Sequence, residues 1–184
     1  LPNLKLFVNI GTSSIYGLEA TFAETIVPKP ASYYGVTKLA AEQLVLQKSR
    51  EQLFKSCSLR LYSVIGPRER PEKMFTKLIA LGLKDEVFPL FEGSDKHLRS
   101  FTYVDDILEG ICRLLPQPSL PDPAWNSNDP NPSTSFGPYR IFNIGNNSPV
   151  KLMDFIEAIE KKIGKKAKIN FLPLQTGDVP ASVS

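Results

Sequence analysis

The chain sets short apolar runs between longer segments whose apolar positions recur at helical spacing. Lys5-Leu6-Phe7-Val8-Asn9-Ile10, ended by Gly11, reads as a strand buried on both faces of a parallel sheet. Cys57-Ser58-Leu59-Arg60-Leu61-Tyr62-Ser63-Val64, ended by Gly66-Pro67, reads as another. Between them, beyond Pro28 and Pro30, lies a helix that carries Tyr34 and Lys38 and runs to about Leu53, with Leu39, Ala40, Leu44 and Val45 expected to pack on the sheet. Strand, loop, helix and strand make one βαβ unit with a right-handed crossover. Further on, the pattern predicts a helix from Val104 to Leu115, a strand from Arg140 to Ile144, a helix with Leu152, Phe155, Ile156, Ile159 and Ile163 on one face, and a last short strand from Lys168 to Phe171. The stretch from Pro116 to Pro138, crowded with Pro, Asn, Ser and Asp, reads as an exposed insertion in which Trp125 anchors the loop by packing.

Composition narrows this picture without redirecting it. A chain of 184 residues, 42% of them hydrophobic, has material for one sizeable core or for part of a larger protein. The net charge of +3 is dispersed among interleaved acids and bases, so there is no basic stripe for nucleic acid. Cys57 and Cys112 sit in apolar runs without metal-ligand spacing, which predicts a reduced, cytoplasmic chain with no metal site. No apolar run approaches membrane-spanning length, and no signal sequence opens the chain. The single His97 reads as a surface or strand residue rather than a general base.

Two local patterns carry candidate chemistry. In a helix Tyr34 and Lys38 stand one above the other, and an ammonium beside a phenol favours the phenolate, the state that takes a proton. The same spacing also arises by chance, with a tyrosine at the core margin and a solvated lysine. Gly11-Thr12-Ser13-Ser14-Ile15-Tyr16-Gly17 puts three hydroxyls at the carboxyl end of the first strand, the edge of an open α/β sheet where ligands sit. It equally suits a turn whose hydroxyls bond their own backbone. The sequence contains no Gly-x-Gly-x-x-Gly.

Taken together, the order Thr-Ser-Ser-x-Tyr-Gly, then Tyr-x-x-x-Lys, then a strand leading into Gly66-Pro67-Arg68 resembles the extended short-chain dehydrogenase/reductase family of NAD-dependent nucleotide-sugar epimerases and dehydratases. Four later segments extend the resemblance over nearly the whole chain: Gly66 to Met74, Arg99 to Ile107, Tyr139 to Asn146, and Gly177-Asp178-Val179-Pro180-Ala181. Within that family the combination is most similar to the UDP-glucuronate 4-epimerases.

The resemblance implies an α/β fold: a partial Rossmann-type, doubly wound parallel sheet lacking its N-terminal half, with a small α/β substrate-binding domain. Residues 1–66 would belong to the NAD-binding part and residues 67–184 to the nucleotide-sugar part, the 116–138 loop being an insertion in the latter. It implies a sugar 4-hydroxyl deprotonated by Tyr34, with Lys38 bonding the nicotinamide ribose, Thr12 hydrogen-bonding the sugar 4-oxygen, and Tyr62 on the cofactor side. Ser13, Ser14 and Ser63 would hold the sugar carboxylate. Arg70 and Arg99 would bind the diphosphate, Phe91 would stack on uracil and Asp178 would approach the ribose. Relatives that dehydrate or decarboxylate the 4-keto intermediate carry an acidic residue near the Thr, and Ser13 and Ser14 in its place favour plain epimerisation. Ser100 stands where the family usually has Asp, which removes a neighbouring carboxylate from Arg99. The implied cofactor is NAD and the implied partners are a UDP-sugar and a second copy of the chain. As a fragment, the chain is expected to hold NAD weakly, to be inactive alone, and to expose an unpaired sheet edge near Lys5 to Ile10. Two alternatives stay open: another UDP-sugar epimerase, decarboxylase or reductase, and a binding module without activity.

Overall fold

The structure, a computed structural model, describes residues 3–20, 23–173 and 181–182. The first strand, β1 (Phe7–Thr12), runs one residue past the expected stop at Gly11 into a single 3₁₀ turn, Ser13–Tyr16. A two-residue strand, β2 (Glu19–Ala20), precedes the long helix α1 (Tyr33–Arg50). That helix starts where it does because the Ser32 side chain accepts a hydrogen bond from the Gly35 amide, and Lys48 and Arg50 complement the dipole of its last turn. Next come β3 (Ser56–Leu61) and β4 (Ser63–Ile65), a strand that changes sheets at Tyr62. Helix α2 (Met74–Lys84) and strand β5 (Val87–Phe91) follow, then β6 (Leu98–Arg99), β7 (Phe101–Tyr103) and helix α3 (Val104–Leu114). The chain continues with β8 (Tyr139–Ile144), β9 (Val150–Lys151), helix α4 (Leu152–Ile163), β10 (Lys168–Leu172) and β11 (Ala181–Ser182).

The first layer is a parallel sheet in the order β1-β3-β8. Its register pairs Thr12 with Leu61, so the hydroxyl turn after β1 and the Tyr62-Ser63 step after β3 emerge side by side at the carboxyl edge. Among the described residues β1 has one partner, β3, and it is not buried on both faces as its apolar run suggested, since Phe7 and Ile10 are exposed. The second region pairs β5 with β10 in parallel and packs α2 and α4 against them. Two small sheets, β4-β7 and β2-β11-β6-β9, tie the regions together.

The two regions have unlike cores. Under α2 and α4, Leu78, Phe88, Leu90, Leu152 and Ile156 form an apolar cluster, with Phe75, Phe101 and Phe155 meeting at ring distances of 4.3 to 4.7 Å. Under α1, Ser56, Ser58, Arg60, Glu42 and Ser49 are all buried beside Cys57, Leu59 and Tyr139. The inward face of α1 therefore matches the expected one at Leu39 and Val45, which pack on buried clusters, and differs from it elsewhere. Gly35, Glu42, Leu46 and Ser49 are buried, whereas Ala40 and Leu44 face outward, Leu44 at 66% exposure. A buried Glu interrupts the apolar stripe that the spacing suggested.

Segment 116–138 is built from turns, and Thr134 and Ser135 are buried. Arg50, at the end of α1, lies over the rings of Trp125 (5.0 Å) and Phe136 (5.2 Å) and donates from Nε to Ser135 Oγ at 3.0 Å. No described helix is long and apolar enough to cross a membrane.

Candidate active site

A cleft of about 510 Å³ opens at the carboxyl edge of β1 and β3. It is lined by Thr12, Ser13, Ser14, Tyr34, Lys38, Tyr62, Ser63, Arg70 and Arg99, so nine residues singled out from the sequence meet in one place. Thr12 Oγ1 accepts from the Ser14 amide and donates to Ser14 Oγ, both at 3.2 Å. The loop thus bonds its own backbone and still presents hydroxyls to the cleft, and the two readings of it are compatible. Tyr34 is 54% exposed and Lys38 half-buried. The Lys38 ammonium lies 5.9 Å from the Tyr34 ring centroid and donates to Ile10 O at 3.1 Å.

Helix and loop meet closely at Gly35. A Cβ there would sit 2.7 Å from Ser14 O and 2.9 Å from Pro30 Cβ, so only glycine lets the start of α1 touch the hydroxyl turn. At the far end of that turn, Gly17 adopts φ +93 with the Lys29 carbonyl against its Cα, a position closed to other residues.

Beneath the cleft lies a buried polar network absent from the sequence reading. Arg60 holds Glu42 in a fork, Nε to Oε2 at 3.1 Å and Nη2 to Oε1 at 2.7 Å, with both side chains 1% exposed. Arg60 Nη1 donates to Tyr16 Oη at 2.7 Å, and Tyr16 Oη donates to Asn143 Oδ1 at 2.8 Å. Burial opposes the charge on Arg60, but Glu42 and Tyr16 together outweigh it and hold the guanidinium more firmly protonated than usual. Burial likewise raises the Tyr16 phenol above its ordinary value, against the pull of Arg60 and Asn143, so it stays a neutral donor. Tyr62 is also raised by burial, and its hydroxyl has no hydrogen-bond partner among the described residues.

A second cavity of about 540 Å³ adjoins the first and shares Ser63, Val64, Lys73 and Arg99 with it. Phe91 lines this second space, together with Phe75, Phe88 and Phe101. His97 lines it too and is buried, where the sequence suggested a surface or strand residue. Arg99 Nη2 approaches His97 Nδ1 at 3.3 Å. Arg99 Nη1 donates to Leu98 O at 2.9 Å, which orients it without the carboxylate that Ser100 replaces. Ser100 is buried, its Oγ without a partner among the described residues. Asp178 lies outside the described residues. Lys73, which lines both cavities, and His97 escaped the sequence reading because nothing local distinguishes them from surface residues.

The ammonium of Lys38, the phenol of Tyr34 and the wall of Ile10, Leu61, Tyr62 and Val64 fit the ribose and nicotinamide end of a dinucleotide. The glycine-rich turn that cradles a dinucleotide diphosphate has no counterpart in the 184 residues.

A parallel α/β sheet with a hydroxyl turn, a Tyr-Lys helix and a cationic cleft at its carboxyl edge is an arrangement of Rossmann type. The profile of the NAD dependent epimerase/dehydratase family matches residues 2–145, and the chain belongs to that family. It is 38% identical over 181 residues to Protein CapI of Staphylococcus aureus, covering 97% of this chain and 54% of that protein. It is 35% identical over 178 residues to a probable UDP-glucuronate 4-epimerase of Rhizobium meliloti, covering 92% and 50%. Among solved structures, the UDP-glucuronic acid 4-epimerase of Bacillus cereus, in complex with UDP-glucuronic acid and NAD, superposes with a TM-score of 0.83 at 31% identity, covering 99% of this chain and 53% of that one. The α/β architecture expected from the sequence is the one found, and the chain spans about half the length of the curated relatives it matches.

Proposed function

We propose that the protein to which these residues belong is an NAD-dependent 4-epimerase that interconverts UDP-glucuronate and UDP-galacturonate. The observation that carries this reading is the make-up of the first cleft. It brings Thr12, Tyr34 and Lys38 together with the hydroxyls of Ser13, Ser14 and Ser63 and the cations of Arg70 and Arg99, and its described lining contains no Asp or Glu. Further elimination steps on a keto sugar call for an additional acid or base, and the cleft offers none from a carboxylate. Neutral donors hold a sugar carboxylate without promoting its loss.

In this reading Tyr34 Oη takes the proton from the sugar 4-hydroxyl and returns it, while Lys38 bonds the nicotinamide ribose. Thr12 Oγ1 hydrogen-bonds the sugar 4-oxygen and so fixes which face of C4 is presented. Ser13, Ser14 and Ser63 hold the carboxylate, Arg70 and Arg99 bind the diphosphate, and Phe91 stacks on the base in the second cavity. The chemistry a bound NAD supplies is the two-electron exchange at C4. Tyr62 is assigned to the cofactor side and Asp178 to the uridine ribose.

The proposal extends to assembly and setting. Tyr33, Val36, Ala40 and Leu44 form an exposed apolar stripe along α1, with Tyr33 at 94% exposure, which suits a second copy of the chain. Unpaired Cys57 and Cys112 suit a reducing cytoplasm. The 184 residues by themselves are proposed to hold NAD weakly and to be inactive. Submillimolar NAD binding by this chain in isothermal titration would count against that, and a strictly monomeric whole protein in sedimentation would count against the dimer. The deciding experiment gives UDP-glucuronate to the whole protein. UDP-galacturonate is expected, and UDP-pentose with carbon dioxide would replace epimerisation by decarboxylation.

A further inference from the structure

We propose that Tyr16, Arg60 and Glu42 are positioning residues that lock the hydroxyl turn to the helix carrying Tyr34 and Lys38, an inference that rests on the proposed function for its catalytic readout. Tyr34, Lys38 and Glu42 recur at intervals of four along α1, so Glu42 continues the line of the acid/base pair one turn further down. Arg60, on β3, uses Nε and Nη2 to fork Glu42 and Nη1 to reach Tyr16 Oη, and its guanidinium also lies 4.9 Å from the centre of the Tyr16 ring. Tyr16 closes the same short turn that begins with Ser13, two residues beyond Ser14. Its hydroxyl passes the chain of bonds on to Asn143 of β8, so one network spans α1, β3, β8 and the turn.

Helix and turn are therefore tied along two turns of α1. Gly35 approaches Ser14 O near the start, Leu39 packs against the cluster of Ile15, Tyr16 and Tyr62 in between, and the Glu42–Arg60–Tyr16 bracket, which passes through β3, closes the far end. Apolar contacts can slide, whereas the directional bonds of the bracket fix the tilt as well as the separation. The quantity so fixed is the placement of Tyr34 relative to the hydroxyls of Thr12 and Ser14, which small displacements of a reacting group punish heavily. A buried ion pair is seldom more stable than well-packed apolar residues of the same volume, so geometry is the more natural return on this one.

Tyr16→Phe keeps the ring and deletes only the hydroxyl, and it separates positioning from mere support. In the whole protein, kcat for UDP-glucuronate should fall about ten- to a hundredfold, with KM for the nucleotide sugar changed by less than about twofold. Amide hydrogen exchange at Ser14 and Ile15 should quicken while that of α4 stays as it was. Glu42→Asp, which keeps the carboxylate that neutralises Arg60 and only shortens its reach, should move kcat and exchange the same way by less, and it serves if Tyr16→Phe fails to fold. A lowered melting temperature with kcat intact overturns the proposal, as does unchanged exchange in the turn or exchange that quickens equally in α4. If the wild-type protein does not epimerise at all, the proposed function fails, and the exchange measurement still decides the bracket.

Discussion

The layer under α1 and the layer under α2 and α4 solve the same problem of burial with opposite chemistry. The second closes over Leu78, Phe88, Leu90, Leu152 and Ile156, whose mutual attraction is non-directional and proportional to area. The first encloses Glu42, Arg60, Ser49 and Ser58, groups that are tolerable in the interior only in one arrangement of donors and acceptors. Both regions border a cavity, but nine of the eleven residues that the sequence marked as chemical gather over the polar one. An apolar core tolerates repacking, whereas a core of directional bonds holds its groups to one position. The difference is between a region that has to stay folded and a region that has to stay in register.

The largest effect should come from a residue outside either core. Tyr34→Phe should lower epimerisation by the whole protein about 100- to 10,000-fold, with an unchanged melting curve, because the side chain is more than half exposed. A large loss of stability instead would show that the cleft and the polar core cannot be treated apart. Next in size is the pair itself. Arg60→Met leaves Glu42 buried without its partner and should cost about 3–5 kcal/mol in denaturant unfolding. Combining it with Glu42→Met should recover most of that, since removing both charges is far cheaper than removing one. A double variant as unstable as the single would contradict the directional picture.

In the apolar layer, Ile156→Val deletes one fully buried methylene and should cost only about 0.5–1.5 kcal/mol, with activity retained. A loss of activity beyond that of folded protein would erase the contrast between the regions. The smallest effect concerns Glu160 on α4, whose carboxyl is held below its usual range first by Lys166 and also by the Ala167 amide. A depressed folded value means that its contribution is present above the ordinary carboxylate range and is lost as pH falls through the folded value. Glu160→Gln should therefore lower stability slightly near neutrality and flatten the acid limb of the melting profile. A steeper acid limb would reverse that sign.

What could be read from the sequence follows the same division between local and distant physics. Strands β1 and β3 and helices α1, α3 and α4 announce themselves through apolar runs or helical periodicity, because burial of one face shapes the residues along one element. Strand β5 does not, since Pro89 sits in its middle and argues against a strand. It is accommodated because, among the described residues, β5 pairs on one side only, with β10. The site's motifs were legible for a related reason: Thr12 to Ser14, Tyr34 with Lys38, and Ser63 each sit within a few residues of their neighbours in function. Glu42 and Arg60 were not. Each looks like an ordinary surface charge until the register of β1 and β3 and the seat of α1 bring them together in the interior. Leu44 and Ala40 face outward, while Leu39, Val45 and Leu46 pack inward on the side of the helix that buries Glu42.

The wall that the two cavities share, Ser63, Val64, Lys73 and Arg99, makes them rooms with a common doorway. Under the proposed function, a nucleotide sugar lying across it would be a reactant on a leash. While its base end stayed seated, the sugar end would meet Tyr34 again and again at an effective concentration set by the length of the diphosphate link rather than by the solution. Turning a sugar over without losing it then becomes a matter of which end lets go first.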